Sequence, residues 1–232
     1  MSFHADRPLQ PRLLSFDVFG TLVDTPPVNF RAFRSILEDA AVSDVDPIAF
    51  YDYWEQRNIA HYWEPYRLYK EICGISLDET FRHFGVSGAD ERLISRYFDL
   101  FPEFQLYPDV TPTLDLLSRD YRLAVVSNID DDLLTATRLG SDFDLICTAE
   151  RAKGYKPDGS LFRYLIDHAG VHLSEILHAG QSQFTDLVGG KPLGLTIAWV
   201  NRRDLKLHPS VPAPDFVLPD IASLIALLRN AK

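Results

Sequence analysis

Apolar positions recur along the chain in two rhythms, and the change of rhythm divides it. Short apolar runs bounded by turn residues predict buried strands at Arg12–Phe16 (RLLSF), Leu123–Val126 (LAVV), Leu145–Cys147 (LIC), Ile176–Ala179 (ILHA) and Leu195–Val200 (LTIAWV). Phe216–Leu218 predicts a short edge strand. Between these runs the spacing is helical. Asp132–Leu139 predicts a helix stopped by Gly140, and Ser160–His168 one that follows Lys156-Pro157-Asp158 and ends before Gly170. Thr185–Val188 predicts a short helix broken by Gly189-Gly190, and Ile221–Leu228 a tail helix packed on the sheet. Strands alternating with helices predict β-α-β units and a parallel sheet covered on both faces.

From residue 26 to residue 102 the strand rhythm disappears. Phe30, Phe33, Ile36 and Leu37, then Phe50, Tyr53 and Trp54, recur at three- and four-residue spacing, and Tyr62, Trp63, Tyr66 and Tyr69 add further aromatics. This predicts an α/β, Rossmann-like core of residues 1–25 and 103–232, with an α-helical cap at 26–102 inserted after the first strand. A small helical bundle needs most of these aromatics for its own core. A cap over a pocket would need some of them at its inner face, and His61 beside Tyr62-Trp63 is a candidate lining group there.

Composition narrows the partners. A chain of 232 residues with 46% hydrophobic residues can bury a full core. A net charge of -10 argues against a nucleic-acid or anionic-membrane surface, which needs clustered Lys and Arg. Cys73 and Cys147 have no metal spacing and read as buried thiols of a reducing compartment. The start, MSFHADRPLQP, is polar and proline-broken, unlike a secretory leader, and no apolar run approaches the ~20 residues that span a bilayer. The expectation is a cytoplasmic protein with a small-molecule partner.

In an open parallel sheet, ligands bind outside the carboxyl ends of the strands. Four polar segments stand at or near such ends: Asp17 after RLLSF, Ser127-Asn128 after LAVV, Lys156 beyond LICTAE, and Gln181-Ser182-Gln183 with Asp186 after ILHAG. Each alone reads as a turn or a helix cap. Together and in this order they resemble the haloacid dehalogenase superfamily of hydrolases, over nearly the whole chain. The first motif is Asp17-Val18-Phe19-Gly20-Thr21, the second Ser127, the third Lys156-Pro157, and the fourth runs from Gly180 to Asp186.

The resemblance implies that Asp17 is a nucleophile forming a covalent ester or acyl-phosphate. A carboxylate is already ionised near neutral pH and needs no base to attack. By the same resemblance Lys156 orients Asp17. Ser127, Asn128 and the backbone of the Phe19–Gly20 turn hold the substrate's anionic oxygens, and Asp186 positions water or metal. Thr21, Gln181, Gln183, Trp54 and Arg57 join the substrate-binding set, with Thr21 fixing the turn rather than reacting. A homodimer is a further possibility that the resemblance raises.

Phe19 bears on the chemistry. Phosphatases of this superfamily usually carry a second Asp two residues after the nucleophile, as general acid for the alkoxide that leaves. Phe19 has no proton to give, and a halide leaves without one, so carbon–halogen cleavage fits better. In the L-2-haloacid dehalogenase branch an aromatic residue stands at this place. The branch also places an Arg after a Trp early in the cap, where this chain has Trp54-Glu55, with Arg57 two residues on. Phe162 replaces a Tyr near the Lys motif, and Gln181 and Gln183 replace a Ser and an Asn. Asp17 and Asp186 against Lys156 leave a pocket charge near -1, which suits a 2-haloacid anion poorly. A Mg²⁺ held by Asp17, the Phe19 carbonyl and Asp186 would suit a phosphate. Three readings stay open: a metal-free dehalogenase, a Mg²⁺-dependent phosphatase, and a ligand-binding member without turnover. His178 reads as a core histidine, Asp24 as a cap or turn, and Asp130-Asp131-Asp132 as an acidic cluster at a helix N-terminus.

Overall fold

A computed structural model describes residues 9–230. The polar start, residues 1–8, lies outside the described residues. Strand β1 (Leu13–Phe16) leads through a tight turn to the two-residue β2 (Val23–Asp24). Helices α1 (Pro26–Asp39), α2 (Pro47–His61), α3 (Tyr69–His83) and α4 (Ser95–Asp99) follow, and the chain returns at β3 (Gln105–Leu106). Then come α5 (Val110–Leu117), β4 (Arg122–Ser127), α6 (Asp131–Thr137), β5 (Leu145–Thr148), α7 (Ala149–Ala152) and α8 (Ser160–His168). The last part holds β6 (Ile176–Gly180), α9 (Val188–Gly190), β7 (Thr196–Val200), β8 (Phe216–Leu218) and α10 (Ser223–Asn230).

Six strands form one sheet in the order β5-β4-β1-β6-β7-β8, every pair parallel. This is the expected α/β, Rossmann-like architecture. Side chains alternate between two cores, as the two-residue period of a strand requires. Leu14, Phe16, Leu123, Val125, Leu177 and Ala179 belong to one apolar cluster, and Leu13, Ala124, Val126 and Ile176 to the other. β1 pairs with β4 on one side and β6 on the other, so the strand order reverses direction at β1. That switch point opens a crevice at its carboxyl end, and Asp17 is the next residue.

β2 and β3 pair antiparallel, with Val23 opposite Leu106 and Asp24 opposite Gln105. This ribbon brings the helical segment back to where it left the sheet. Two-residue strands carry no readable period, so sequence reading missed them, along with α5 and α7. Asp24 thus lies in the ribbon rather than acting as a cap.

α2 starts at Pro47 because Asp46 accepts hydrogen bonds from the N–H groups of Ile48 (3.2 Å) and Ala49 (3.4 Å). α3 has no such cap of its own. Asp130, from the sheet layer, accepts instead from the N–H of Tyr69 (2.8 Å) and of Lys70 (3.0 Å), and Lys70 pairs with Asp132 at 2.6 Å. The acidic cluster therefore caps a helix 60 residues away in sequence as well as starting α6. Aromatic packing adds to this docking. Tyr62 stacks on Tyr155 at 4.7 Å, and Phe19 meets Phe101 and Phe104 edge-on at 5.7 and 5.5 Å.

Two predicted boundaries move. α6 ends at Thr137, where Arg138 turns left-handed (φ 52°), before Gly140 is reached. Gly189-Gly190 does not break the predicted helix: a π-helical turn (Gln183–Leu187) runs on into α9. Glycine allows close packing there: a Cβ on Gly189 would stand a tight 3.1 Å from Pro157 Cα, and one on Gly190 only 2.7 Å from Ile197 Cδ1.

Candidate active site

Asp17 is held at the end of β1 by its N–H, which donates to the Ala179 carbonyl at 3.0 Å. The turn that follows needs Gly20 at φ +83°, a left-handed conformation open to glycine. Lys156 approaches from the loop after α7 and is fully buried. Its ammonium donates to Asp17 Oδ1 (2.8 Å), Asp186 Oδ1 (2.7 Å) and the Val126 carbonyl (2.9 Å), which uses all three of its hydrogens. Asn128 fixes the loop by receiving the Lys156 N–H (2.7 Å) and donating to the Lys156 carbonyl (2.8 Å). Thr21 donates to Asp17 Oδ2 at 2.7 Å and accepts the Gln181 N–H at 2.9 Å.

Asp186 comes from the π-helical turn. Its Oδ2 accepts the Ser182 N–H at 3.0 Å, and its Oδ1 lies 3.3 Å from His178 Nε2. Ser15 Oγ holds the other ring nitrogen of His178 at 3.0 Å. His178 is the satisfied core histidine that was expected, with the added task of steadying Asp186.

Burial works against ionisation of Asp186, but Lys156 and the His178 contact outweigh it and hold the carboxyl well below the usual range. Burial also disfavours the Lys156 ammonium, yet Asp17 and Asp186 keep its pKa above the ordinary lysine value. Asp17 shares that ammonium with Asp186. Burial pushes its carboxyl up, Lys156 pulls it down, and the net direction is up. The carboxylate of Asp17 is thus the less stabilised of the two. It is also the one that meets the cavity.

That cavity, about 310 Å³, lies between the sheet's carboxyl edge and the helical layer. Asp17, Phe19, Ser127, Asn128, Lys156 and Gln181 line the sheet side, and Asn29, Tyr51, Trp54, Glu55 and Tyr62 the helical side. Its size and mixed walls suit a small molecule. Trp54 contributes only an apolar wall, since its indole N–H donates to the Cys73 carbonyl at 3.1 Å.

Several expected lining residues lie elsewhere. A helix turns about 100° per residue, so the face of α2 that presents Tyr51, Trp54 and Glu55 inward carries Arg57 outward. There Arg57 pairs with Glu79 at 2.6 Å and touches no part of the cavity. His61 is likewise turned away, between Glu64 (3.1 Å) and Glu79 (3.3 Å). Gln183 faces the loop after β7, donating to the Lys206 carbonyl (2.9 Å) and accepting the His208 N–H (2.7 Å). Thr21 lies behind Asp17 as a positioning group. Gly20 reaches the wall, but its N–H is committed to the Val23 carbonyl at 2.9 Å and offers no donor to a ligand. Phe162 packs edge-on against His178 at 4.9 Å, behind the site.

The residues expected to hold Mg²⁺ do not fit that ion. Asp186 is fully buried behind the wall with both oxygens engaged, and the Lys156 ammonium bridges it to Asp17. Gln181 stands where a second acid would be. Mg²⁺ binds through carboxylate oxygens that remain free to face it.

Arg202 and Arg203 line the cavity too, and sequence reading passed over both. Arg202 is largely engaged in holding the fold: it forms a double ion pair with Asp109 (2.9 and 3.0 Å), donates to the Thr21 carbonyl (3.0 Å) and stacks over Tyr107. Arg203 is exposed and reaches Gln181 Oε1 at 3.0 Å. Both follow β7 at its carboxyl end, the signal that singled out the other four segments.

Glu55 carries a testable consequence. Burial raises its pKa, opposed by the hydrogen bond from Tyr51 and the charge of Arg203. A carboxyl raised above its unfolded value contributes stability at low pH and loses it as pH rises through the folded pKa. Glu55→Gln mimics the protonated form. Glu55 is exposed to the cavity, so solvent screens the effect. The variant's melting temperature is therefore expected slightly above the wild type's at pH 7, with the gap closing towards pH 4, as followed by thermal unfolding across pH.

Fold and site together define an α/β, Rossmann-like protein with a buried Asp–Lys–Asp cluster at the carboxyl edge of its sheet. Residues 14–200 match the model of the family described as haloacid dehalogenase-like hydrolase, and the chain belongs to that family. It is 28% identical over 205 residues to (S)-2-haloacid dehalogenase 4A of Burkholderia cepacia, covering 83% of this chain and 84% of that one. It is also 24% identical to the human N-acylneuraminate-9-phosphatase, over 94% of both chains. Its fold matches L-2-haloacid dehalogenase from Xanthobacter autotrophicus, solved with chloropropionic acid covalently bound. There the TM-score is 0.80, at 20% identity over 95% of this chain and 99% of that one. Among the described residues, no helix is long and apolar enough to cross a membrane.

Proposed function

We propose that this hydrolase cleaves a carbon–halogen bond of a small molecule, with Asp17 as nucleophile. The observation that carries the reading is Phe19. It lines the cavity beside Asp17, where a general acid would serve a phosphate ester, and its ring is packed against Phe101 and Phe104. A misfit donor set for Mg²⁺ points the same way.

The chemistry balances without a metal. A carboxylate has about four lone-pair sites. Lys156 and Thr21 engage one on each oxygen of Asp17, which leaves a pair for attack. The oxygen forms a bond to the halogen-bearing carbon as the carbon–halogen bond breaks, and the halide leaves with the electron pair. Water then adds to Cγ of Asp17, the ester C–O bond breaks, the alcohol departs, and one proton is released to solvent. Lys156 holds Asp17 in line and balances the charge of Asp186, Asn128 positions Lys156, and Ser127 lines the cavity beside the reacting group. Helices of segment 26–102 act as the cap that closes the cavity.

The test is a panel of chloro- and fluoro-substituted small molecules and phosphate monoesters, with and without EDTA. The expected result is halide release unaffected by EDTA, and an ester adduct on the Asp17 peptide in mass spectra of quenched enzyme. Phosphate release abolished by EDTA, with a phosphoryl adduct on Asp17, would give the site to phosphatase chemistry instead.

A further inference from the structure

On the helical wall of the cavity, Asn29, Tyr51 and Glu55 form a connected polar chain. Tyr51 donates its single hydroxyl hydrogen to Glu55 Oε1 at 3.0 Å. The same hydroxyl can then only accept, and it receives Asn29 Nδ2 at 2.8 Å. This polarity turns the Asn29 amide so that Oδ1 is its remaining acceptor. Asn29 is 4% exposed, and its Oδ1 has no hydrogen-bond partner and almost no accessible surface, so what Asn29 does at the wall is hold Tyr51 through Nδ2. Glu55 is exposed on the same wall and is its open acceptor.

We propose that Glu55, held in place by Tyr51 and through it by Asn29, is the recognition group for a hydrogen-bond-donating part of the substrate: a carboxamide, hydroxyl or ammonium. This rests on the reading of the cavity as the substrate pocket of Asp17. Tyr51 takes Glu55 Oε1, which leaves Oε2 to accept from an N–H or O–H donor. A substrate carboxylate has no hydrogen to give and meets the charge of Glu55. The wall is therefore complementary to the amide or alcohol counterpart of a small acid rather than to the acid. Arg203 does not reverse this. It is exposed, held to Gln181, and its charge favours the ionised, accepting form of Glu55.

Binding is measured with probes that carry no leaving group, so the result does not depend on the reaction. Propionamide, 1-propanol, propylammonium and propionate are titrated against the wild-type protein by ligand-observed NMR. Propionamide is expected to bind about 10-fold or more tighter than propionate, the scale of a hydrogen bond to a charged acceptor. The other two probes separate a neutral from a cationic donor. Asn29→Ala and Glu55→Gln each shrink the preference several-fold, and Glu55→Arg inverts it towards propionate. Propionate binding as tightly as propionamide to the wild type overturns the proposal, as does a preference unchanged in Asn29→Ala and Glu55→Gln. Cooperative thermal unfolding of each variant keeps a folding defect apart from a lost contact. A donor preference without halide release would leave the subsite standing and remove the dehalogenase reading alone.

Discussion

Asp17→Asn is expected to fold and to turn over no substrate. Asparagine keeps the shape of the side chain and its place beside Lys156, but its amide nitrogen and oxygen are poor nucleophiles. Loss of the attacking group should reduce turnover by a factor on the order of 10⁴ or more. Stability should not fall with it. The carboxyl of Asp17 is raised by burial, so its stabilising contribution belongs to low pH and is lost as pH rises through the folded value. At neutral pH the charge is a cost that asparagine removes, while Lys156 keeps Asp186 and the Val126 carbonyl as partners. Halide release and a urea midpoint measured on the same sample separate the two effects. Turnover within ten-fold of the wild type would remove Asp17 from the nucleophile's role.

Lys156→Met should be costly for both function and stability. Methionine fills much the same volume and leaves two carboxylates buried without their common cation. Breaking a buried ion pair by removing one partner typically costs ~3–5 kcal/mol, because the remaining charge is uncompensated. A pH series tests that cause directly. In the wild type, Asp186 has its pKa lowered, so its contribution is present above the unfolded value near ~3.9 and fades as pH falls towards the folded one. In the variant both carboxyls are pushed up, and protonation at low pH relieves them. The stability gap between the proteins should therefore be widest near pH 7 and narrow towards pH 4. A gap independent of pH would mean that the loss comes from packing rather than charge.

The chain's own order made much of this site readable. Asp17, Ser127 and Gln181 follow apolar runs, and in a parallel sheet all such ends lie on one edge, so their meeting follows from topology alone. Lys156 was legible by its place in the ordered set of motifs rather than by any local signal. Less was legible on the helical side. Trp54 reaches the wall, yet Arg57, three residues on, is carried out to Glu79. Gln183 and Gln181 are two residues apart, but the π-helical turn sends one to the loop at Lys206 and leaves the other at the cavity. Asp130 was readable as the start of α6, not as the cap of α3, because its partners Tyr69 and Lys70 are defined only by the docking of two layers.

By itself, the sequence determined the alternation of strands and helices, the two-faced burial of the sheet and the edge where chemistry can occur. Each of these is a repeating local pattern that many residues specify together. Only the tertiary structure decided that Asp186 sits behind Lys156 rather than in the cavity, that Arg203 and not Arg57 reaches the rim, and that Asn29 is left with an unmatched acceptor. Each of those depends on the rotation of one helix or turn and on a partner far along the chain. In a helix one residue turns a side chain by about 100°, enough to carry it from the cavity wall to the outer surface.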